Sequence, residues 1–290
     1  MRRGIQHRWS RWHLIGAIVL AVLAVCATWD TWSDIYHLAA NDEEYSHIFL
    51  VPVVSLYLVW VRRRRFRFCE PSGRFAGPLT AAAGWGLSLF GFYHGVQSMW
   101  HLGAVIIVLG CILSVTGTAI IERFFPAVVV LAFLVPVPGT LRQQIALPLQ
   151  SWTATISQHL LQTLGIDATT SGNLLSVNGR PVAIAEACNG LRMVFALMLV
   201  AYAFCFSLPL KNSVRALILA SSPLAAIACN VLRILPTAWM YGYYSTEVAD
   251  KFHDYSGWLM LPIAFLLLYG IIRLLIWAMI PVSRYTLAQQ

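Results

Sequence analysis

Long apolar runs separated by short polar breaks dominate the chain, at about 13–29, 46–61, 76–96, 99–121, 124–138, 188–208, 213–243 and 256–280. Each approaches the roughly 20 residues that an α-helix needs to cross the hydrocarbon of a bilayer. The pattern predicts an all-α polytopic membrane protein with about eight transmembrane helices. One long polar insertion, 139–187, separates the fifth run from the sixth. Within it Leu141, Ile145, Leu149, Trp152, Ile156 and Leu160 recur at helical spacing, with Arg142, Gln143, Gln144, Gln150 and Gln158 interleaved. That alternation predicts an amphipathic helix lying in the membrane interface, ended by Gly165. The stretch from Asn173 to Ile184 sets Asn178-Gly179 between β-prone segments, which predicts a short β-hairpin.

Composition agrees with the pattern: 59% of residues are hydrophobic and only 11% charged, and the mean hydropathy is +0.69. With 290 residues divided among such segments, little is left for a soluble domain. Residues 1–290 therefore read as a single integral membrane domain. The formal charge of +8 does not point to nucleic acid, because most basic residues lie in short loops between apolar runs. Six cysteines, at 26, 69, 111, 188, 205 and 229, form no C-x-x-C pair and no Cys/His ligand spacing, so neither a disulfide framework nor a metal site is expected. The histidines at 37, 47, 94, 101 and 159 likewise lack a ligand pattern, and no cofactor is implied. The basic N-terminus followed by an apolar run resembles a signal peptide, but without a convincing small-x-small site an uncleaved first span is expected.

The distribution of Lys and Arg sets the topology. With the N-terminus inside, inner loops hold Arg2, Arg3, Arg8, Arg11, Arg62 to Arg65, Arg67, Arg74, Arg123, Lys211, Arg215 and Arg284. Outer loops hold only Arg142, Arg180 and Lys251, among many Asp and Glu. This asymmetry predicts a multi-pass cell (inner) membrane protein, N-in and C-in, with 139–187 as an extracytoplasmic insertion. Three chemically capable residues then fall on the outer face. Cys188 opens the sixth run within Glu186-Ala187-Cys188-Asn189-Gly190-Leu191-Arg192, at a helix N-terminus where unpaired N–H groups favour thiolate. Arg233 lies in an apolar run, about 27 Å above Arg215 at 1.5 Å per residue. An arginine inside a span is costly and marks a functional candidate, although an inter-helix tie would also explain it. Asn230 shares its helical face and is placed to help hold it. His253 lies in the loop before the last run, where an ordinary solvated histidine is the plainer reading. The N–H groups after Cys188 suit an oxyanion hole, and Gly190 admits close backbone approach. A buried, inert thiol is the plainer reading of Cys26, Cys111, Cys205 and Cys229.

These residues sit in a series of short motifs: Glu44-Tyr45-Ser46-His47, Val135-Pro136-Val137-Pro138-Gly139, Ile145-Ala146-Leu147-Pro148-Leu149-Gln150, Glu186 to Arg192, Asn230-Val231-Leu232-Arg233-Ile234 and Phe252-His253-Asp254-Tyr255-Ser256-Gly257-Trp258. In that order they resemble the exosortase/archaeosortase family of membrane-embedded cysteine transpeptidases, over most of the chain. Two departures stand out: Asn189 where the family commonly has Ser, and Ile48 where it commonly has Gly. The resemblance implies Cys188 as nucleophile, His253 as general base and acid, and Arg233 as oxyanion stabiliser. Glu186, Asn189, Gly190, Arg192, Asn230 and His47 stand as supporting residues. It implies a thiol protease or transpeptidase of the PEP-CTERM, exopolysaccharide-associated kind, acting in protein sorting. Its partners are exported proteins whose C-terminal signal comprises a short motif such as Pro-Glu-Pro, a transmembrane helix and a basic cluster. Two other classes stay open: a transporter or lipid- or polymer-export protein in which Arg233 binds an anionic group, and a membrane scaffold needing none of the trio. The acceptor of the acyl group and the oligomeric state are not legible.

Overall fold

The computed structural model describes residues 11–69, 75–183 and 190–277, and falls into two compact units, Met1–Pro138 and Gly139–Gln290. Helices dominate both, as the hydropathy pattern predicts. The first unit carries α1 (Arg11–Ala27), α2 (Trp29–Asn41), α3 (Leu50–Val61), α4 (Ala76–Tyr93), α5 (Gln97–Thr116) and α6 (Ala119–Val129). The second carries α7 (Gly139–Thr163), strands β1 (Ala168–Ser171), β2 (Leu174–Val177) and β3 (Arg180–Ala183), then α8 (Gly190–Ser207), α9 (Asn212–Tyr243) and α10 (Thr246–Trp277). Among the described residues three helical stretches are long and apolar enough to cross a membrane, Glu44–Val61, Gln97–Thr116 and Asn212–Tyr243, or up to five if two bent helix pairs each form one span. The finer count of eight rests on the hydropathy pattern alone.

In the first unit α2 goes beyond the helices the hydropathy pattern predicts, turning 80° from α1 just after the first apolar run. Its signal is an i, i+4, i+8 stripe: Thr31, Ile35 and Ala39 are buried, on a helix otherwise rich in polar and aromatic residues. At the bend Thr28 Oγ1 donates to the Ala24 carbonyl at 2.8 Å and accepts Trp32 Nε1–H at 3.0 Å. Asp34 of α2 accepts from Gln97 Nε2 (2.8 Å) and from His101 Nε2 (2.7 Å) of α5, with His101 fully buried. Helices α4 and α5 form an antiparallel hairpin packed backbone to backbone. A Cβ placed at Gly77, Gly84 or Gly91 would meet the amide nitrogen of Ser114, Ile107 or Trp100 at 2.3, 2.8 and 2.3 Å. From the other side, a Cβ at Gly103 or Gly110 would stand 2.5 or 2.4 Å from the nitrogens of Ser88 and Ala81. Glycine thus recurs every seven residues on both helices, and the backbones approach as closely as small-residue seams in membranes allow.

In the second unit α7 spans the predicted amphipathic helix and ends in a Schellman motif. Gly165 takes φ +78°, its N–H bonds to the Gln162 carbonyl, and the Ile166 N–H bonds back to Leu161. The two faces of α7 are the reverse of a soluble helix. Gln150, Thr153, Ala154, Ser157 and Leu161 point inward, whereas Leu141, Ile145, Trp152, Ile156 and Leu160 are exposed. The inward face binds the sheet: Gln158 Oε1 accepts from Thr170 Oγ1 (2.6 Å), and Gln162 Nε2 donates to the Ala168 carbonyl (2.8 Å). The predicted hairpin is present as β2–β3, paired from Val177↔Arg180 with Asn178 and Gly179 both at positive φ, the I′ turn that Asn-Gly favours. Strand β1 is an addition to that hairpin, joining β2 through Gly172-Asn173 with Gly172 at φ +65°. The sheet packs on α7 and α9 through Leu175, Val177, Val182, Ala154, Leu161, Ile234 and Ala238. Gly242 lies against it, where a Cβ would fall 2.6 Å from Val177 Cγ1.

Candidate active site

Three helices build the site. Arg215, near the start of α9, donates from Nε to the Cys205 carbonyl (2.9 Å) and from Nη2 to the Leu208 carbonyl (3.1 Å) at the end of α8. The two helices therefore run antiparallel, packed through Val194, Leu197 and Ala201 against Ile218, Ala226 and Cys229. Fifteen residues separate Cys205 from Gly190 on α8, and fifteen separate Arg215 from Asn230 on α9. Both helices climb about 1.5 Å per residue, so the first turn of α8 and the Asn230–Arg233 turn lie at the same end of the pair.

Helix α10 brings His253 to that end. Arg233 is 7% exposed, and its Nη2 donates to His253 Nε2 at 2.6 Å. A guanidinium has donors only, so Nε2 must accept, which makes the imidazole neutral with its proton on Nδ1. Asp254 Oδ1 stands 3.6 Å from Nδ1 and is largely solvent-exposed, too far for a hydrogen bond but near enough to act on charge. Ser256 Oγ donates to the His253 carbonyl at 2.8 Å, and Thr237 Oγ1 to the Arg233 carbonyl at 2.7 Å. One turn beyond His253, Gly257 lies beside the guanidinium: a Cβ there would come 3.4 Å from Nη2 and 3.8 Å from Cζ. Among the described residues, two buried polar atoms in this turn of α9 have no hydrogen-bond partner, Arg233 Nε and Asn230 Oδ1, and Ser157 Oγ on the inward face of α7 is another. Buried groups left this way are uncommon in folded proteins.

Arg233 and His253, twenty residues apart in sequence, thus meet directly. The chain matches the family model described as Transmembrane exosortase (Exosortase_EpsH) over residues 29–270. It belongs to the transmembrane exosortase family. No curated protein and no solved structure matches it.

As an exosortase-family member, the chain is a multi-pass membrane protein. Of the residues singled out from its sequence, Cys188, Glu186 and Asn189 lie outside the described residues. Gly190 is the first residue of α8 and Arg192 lies in its first turn. Asn230 is 1% exposed and shares the face of Arg233, but its Oδ1 does not bond to the guanidinium as the helical spacing suggested. His47 belongs to the other unit, in the 3-10 segment Glu43–Phe49, where it is buried and its Nδ1 lies 3.1 Å from the Glu44 carbonyl oxygen. His253, read from sequence as a loop residue, sits inside α10. Gly257 was not among the predicted site residues; its signal is the i+4 spacing from His253, visible only once that segment is read as a helix. Among the described cysteines, Cys205 and Cys229 are buried in the α8–α9–α10 core, whereas Cys26 is exposed. Burial also pushes the Cys69 thiol up, away from a reactive thiolate.

Proposed function

We propose that the chain is a membrane cysteine transpeptidase or protease that cleaves C-terminal sorting signals of exported proteins through a thioester, with its site on the extracytoplasmic side. Support comes from the family match over most of the chain, and one observation carries the site: the buried Arg233–His253 contact, at the end of the α8–α9 pair where α8 begins. Cys188 is two residues before Gly190, so their Cα atoms are at most about 7.6 Å apart along the chain. In this reading the Cys188 thiol gives its proton to His253, and the thiolate attacks the scissile carbonyl. Arg233 meets the oxyanion of the tetrahedral intermediate. Collapse breaks the C–N bond, the leaving amine takes the proton from the His253 imidazolium, and a thioester remains for water, an amine or a hydroxyl to resolve.

The exposed apolar stripe of α7 supports its lying against the bilayer surface, with the sheet beside the site as part of a substrate cleft. Glu186 and Arg192 are candidate supports for the cysteine, and the match supports reading residues 1–290 as one membrane domain. The test is Cys188→Ala in cells carrying a tailed substrate. Loss of processing at unchanged protein level is the expected result. Continued processing, or equal function of Cys188→Ser, favours the other reading, a carrier in which Arg233 binds an anionic group.

A further inference from the structure

The Arg233–His253 hydrogen bond poses a problem for the chemistry proposed above. His253 accepts at Nε2, so the lone pair it needs as a base is occupied by the guanidinium. An imidazolium beside Arg233 would add like-charge repulsion in a buried setting. The arginine has to leave Nε2 before His253 takes a proton. The structure shows where it can go. Among the described residues, Arg233 Nε–H is a buried donor without an acceptor, and Asn230 Oδ1, one turn earlier on the same face, is a buried acceptor without a donor. Gly257 leaves the guanidinium lateral room, since it places no side chain beside Nη2 and Cζ.

We infer that Asn230 is a positioning residue for Arg233, and that the arginine works in two arrangements. At rest Nη2 caps His253 Nε2. In the working arrangement Asn230 Oδ1 accepts Arg233 Nε–H, the guanidinium withdraws from the imidazole, and its freed Nη donors face the substrate carbonyl. The proton released by the thiol then goes to the uncapped Nε2, and the resulting imidazolium turns Nδ1–H toward the Asp254 carboxylate, 3.6 Å away at rest. This rests on the transpeptidase reading for its catalytic meaning, but the two arrangements are a property of the side chains alone.

The experiment measures the reactivity of His253 toward diethyl pyrocarbonate at fixed pH in the full-length purified protein, mapped by peptide mass spectrometry, in Asn230→Leu and Asn230→Asp variants. Leucine keeps the volume and removes the acceptor, so the cap persists and His253 reacts roughly tenfold more slowly than in the unaltered protein, the size of one hydrogen bond's preference. Aspartate keeps the acceptor and draws the guanidinium more strongly, so His253 reacts faster. Turnover of a tailed peptide follows the same order, with kcat reduced in Asn230→Leu, KM little changed, and activity rescued in Asn230→Asp. Equal His253 reactivity in all three proteins overturns the inference, as does equal loss of kcat in both variants. If Asn230→Leu does not fold, the acceleration in Asn230→Asp decides alone. Should His253 reactivity diverge as expected while even the unaltered protein processes no tailed substrate, the transpeptidase reading falls and the arginine device stands.

Discussion

Two antiparallel helix pairs, α4–α5 and α9–α10, solve the same packing problem in opposite ways. Both join neighbouring helices through a short turn. In α4–α5 glycine at every seventh residue brings backbone against backbone, and each seam glycine from Gly77 to Gly110 faces an amide nitrogen of the opposite helix. In α9–α10 long side chains occupy the interface, an arginine and a histidine among them. A seam closed down to backbone contact has no volume left for chemistry, whereas one spaced by long side chains retains polar atoms that have no partner among the described residues, Arg233 Nε and Asn230 Oδ1. The first pair should tolerate no added volume. The second should tolerate volume and fail on chemistry.

Arg233→Gln breaks the comparison most sharply. It preserves much of the side-chain length and removes the cation, so processing of a tailed substrate should fall about 10²–10³-fold, the usual loss for one oxyanion donor. Protein abundance and the unfolding midpoint in detergent should change little. Gly110→Val is the converse. Its Cβ would start 2.4 Å from the Ala81 backbone nitrogen, which cannot rotate away, so the hairpin must part. The expected cost is about 3 kcal/mol, near the top of the range for overpacking, read as a lowered unfolding midpoint and reduced membrane abundance. Whatever activity is lost should track the amount of folded protein.

How much of this was legible beforehand differs between the pairs for a physical reason. The close packing of α4 leaves its mark in glycines recurring every seven residues, and the Asn178-Gly179 turn is readable because only a few residues accept its backbone. Arg233 and His253 were visible as costly or reactive groups, but not their contact, since a side-chain hydrogen bond between two helices has no periodicity in either. The helical state of His253 was hidden by its polar neighbours Asp250, Lys251 and Asp254, which read as a loop although they form the exposed side of α10. The apolar stripe of α7 is legible from its spacing, but its outward placement follows from reading the helix as interfacial rather than from periodicity itself. Helical periodicity separates an apolar face from a polar one without saying which is buried, and in a membrane protein the apolar face can be the outer one.

Gly257→Ala sharpens the comparison at an intermediate scale. The added methyl would meet Arg233 Nη2 at 3.4 Å, the far end of a flexible side chain, so the helix need not move. Alanine gains up to about 1 kcal/mol of helix propensity over glycine, so the unfolding midpoint should hold or rise slightly. Turnover should nonetheless drop about fivefold, because the methyl fills the space beside the guanidinium through which it moves, so its donors are aimed less well at the reacting carbonyl. A fall in stability instead would mean that this seam is as tightly closed as that of α4–α5.

The smallest effect, and the one with the opposite sign, belongs to Gly86→Ala. Gly86 lies on α4 two residues after Gly84, about 200° round the helix from the glycine seam at 3.6 residues per turn. A Cβ there meets nothing within 4 Å, and the residue is exposed. Both residues therefore see the same helix, one with a backbone pressed against it and one without. Removing the extra freedom of a glycine at an unstrained helical position stabilises by about 0.5 kcal/mol, so the unfolding midpoint in detergent should rise by a degree or two at most. If Gly86→Ala instead destabilised as much as Gly110→Val, glycine would be needed for the helix itself rather than for its contact. The seam would then not be what separates this hairpin from the α9–α10 pair.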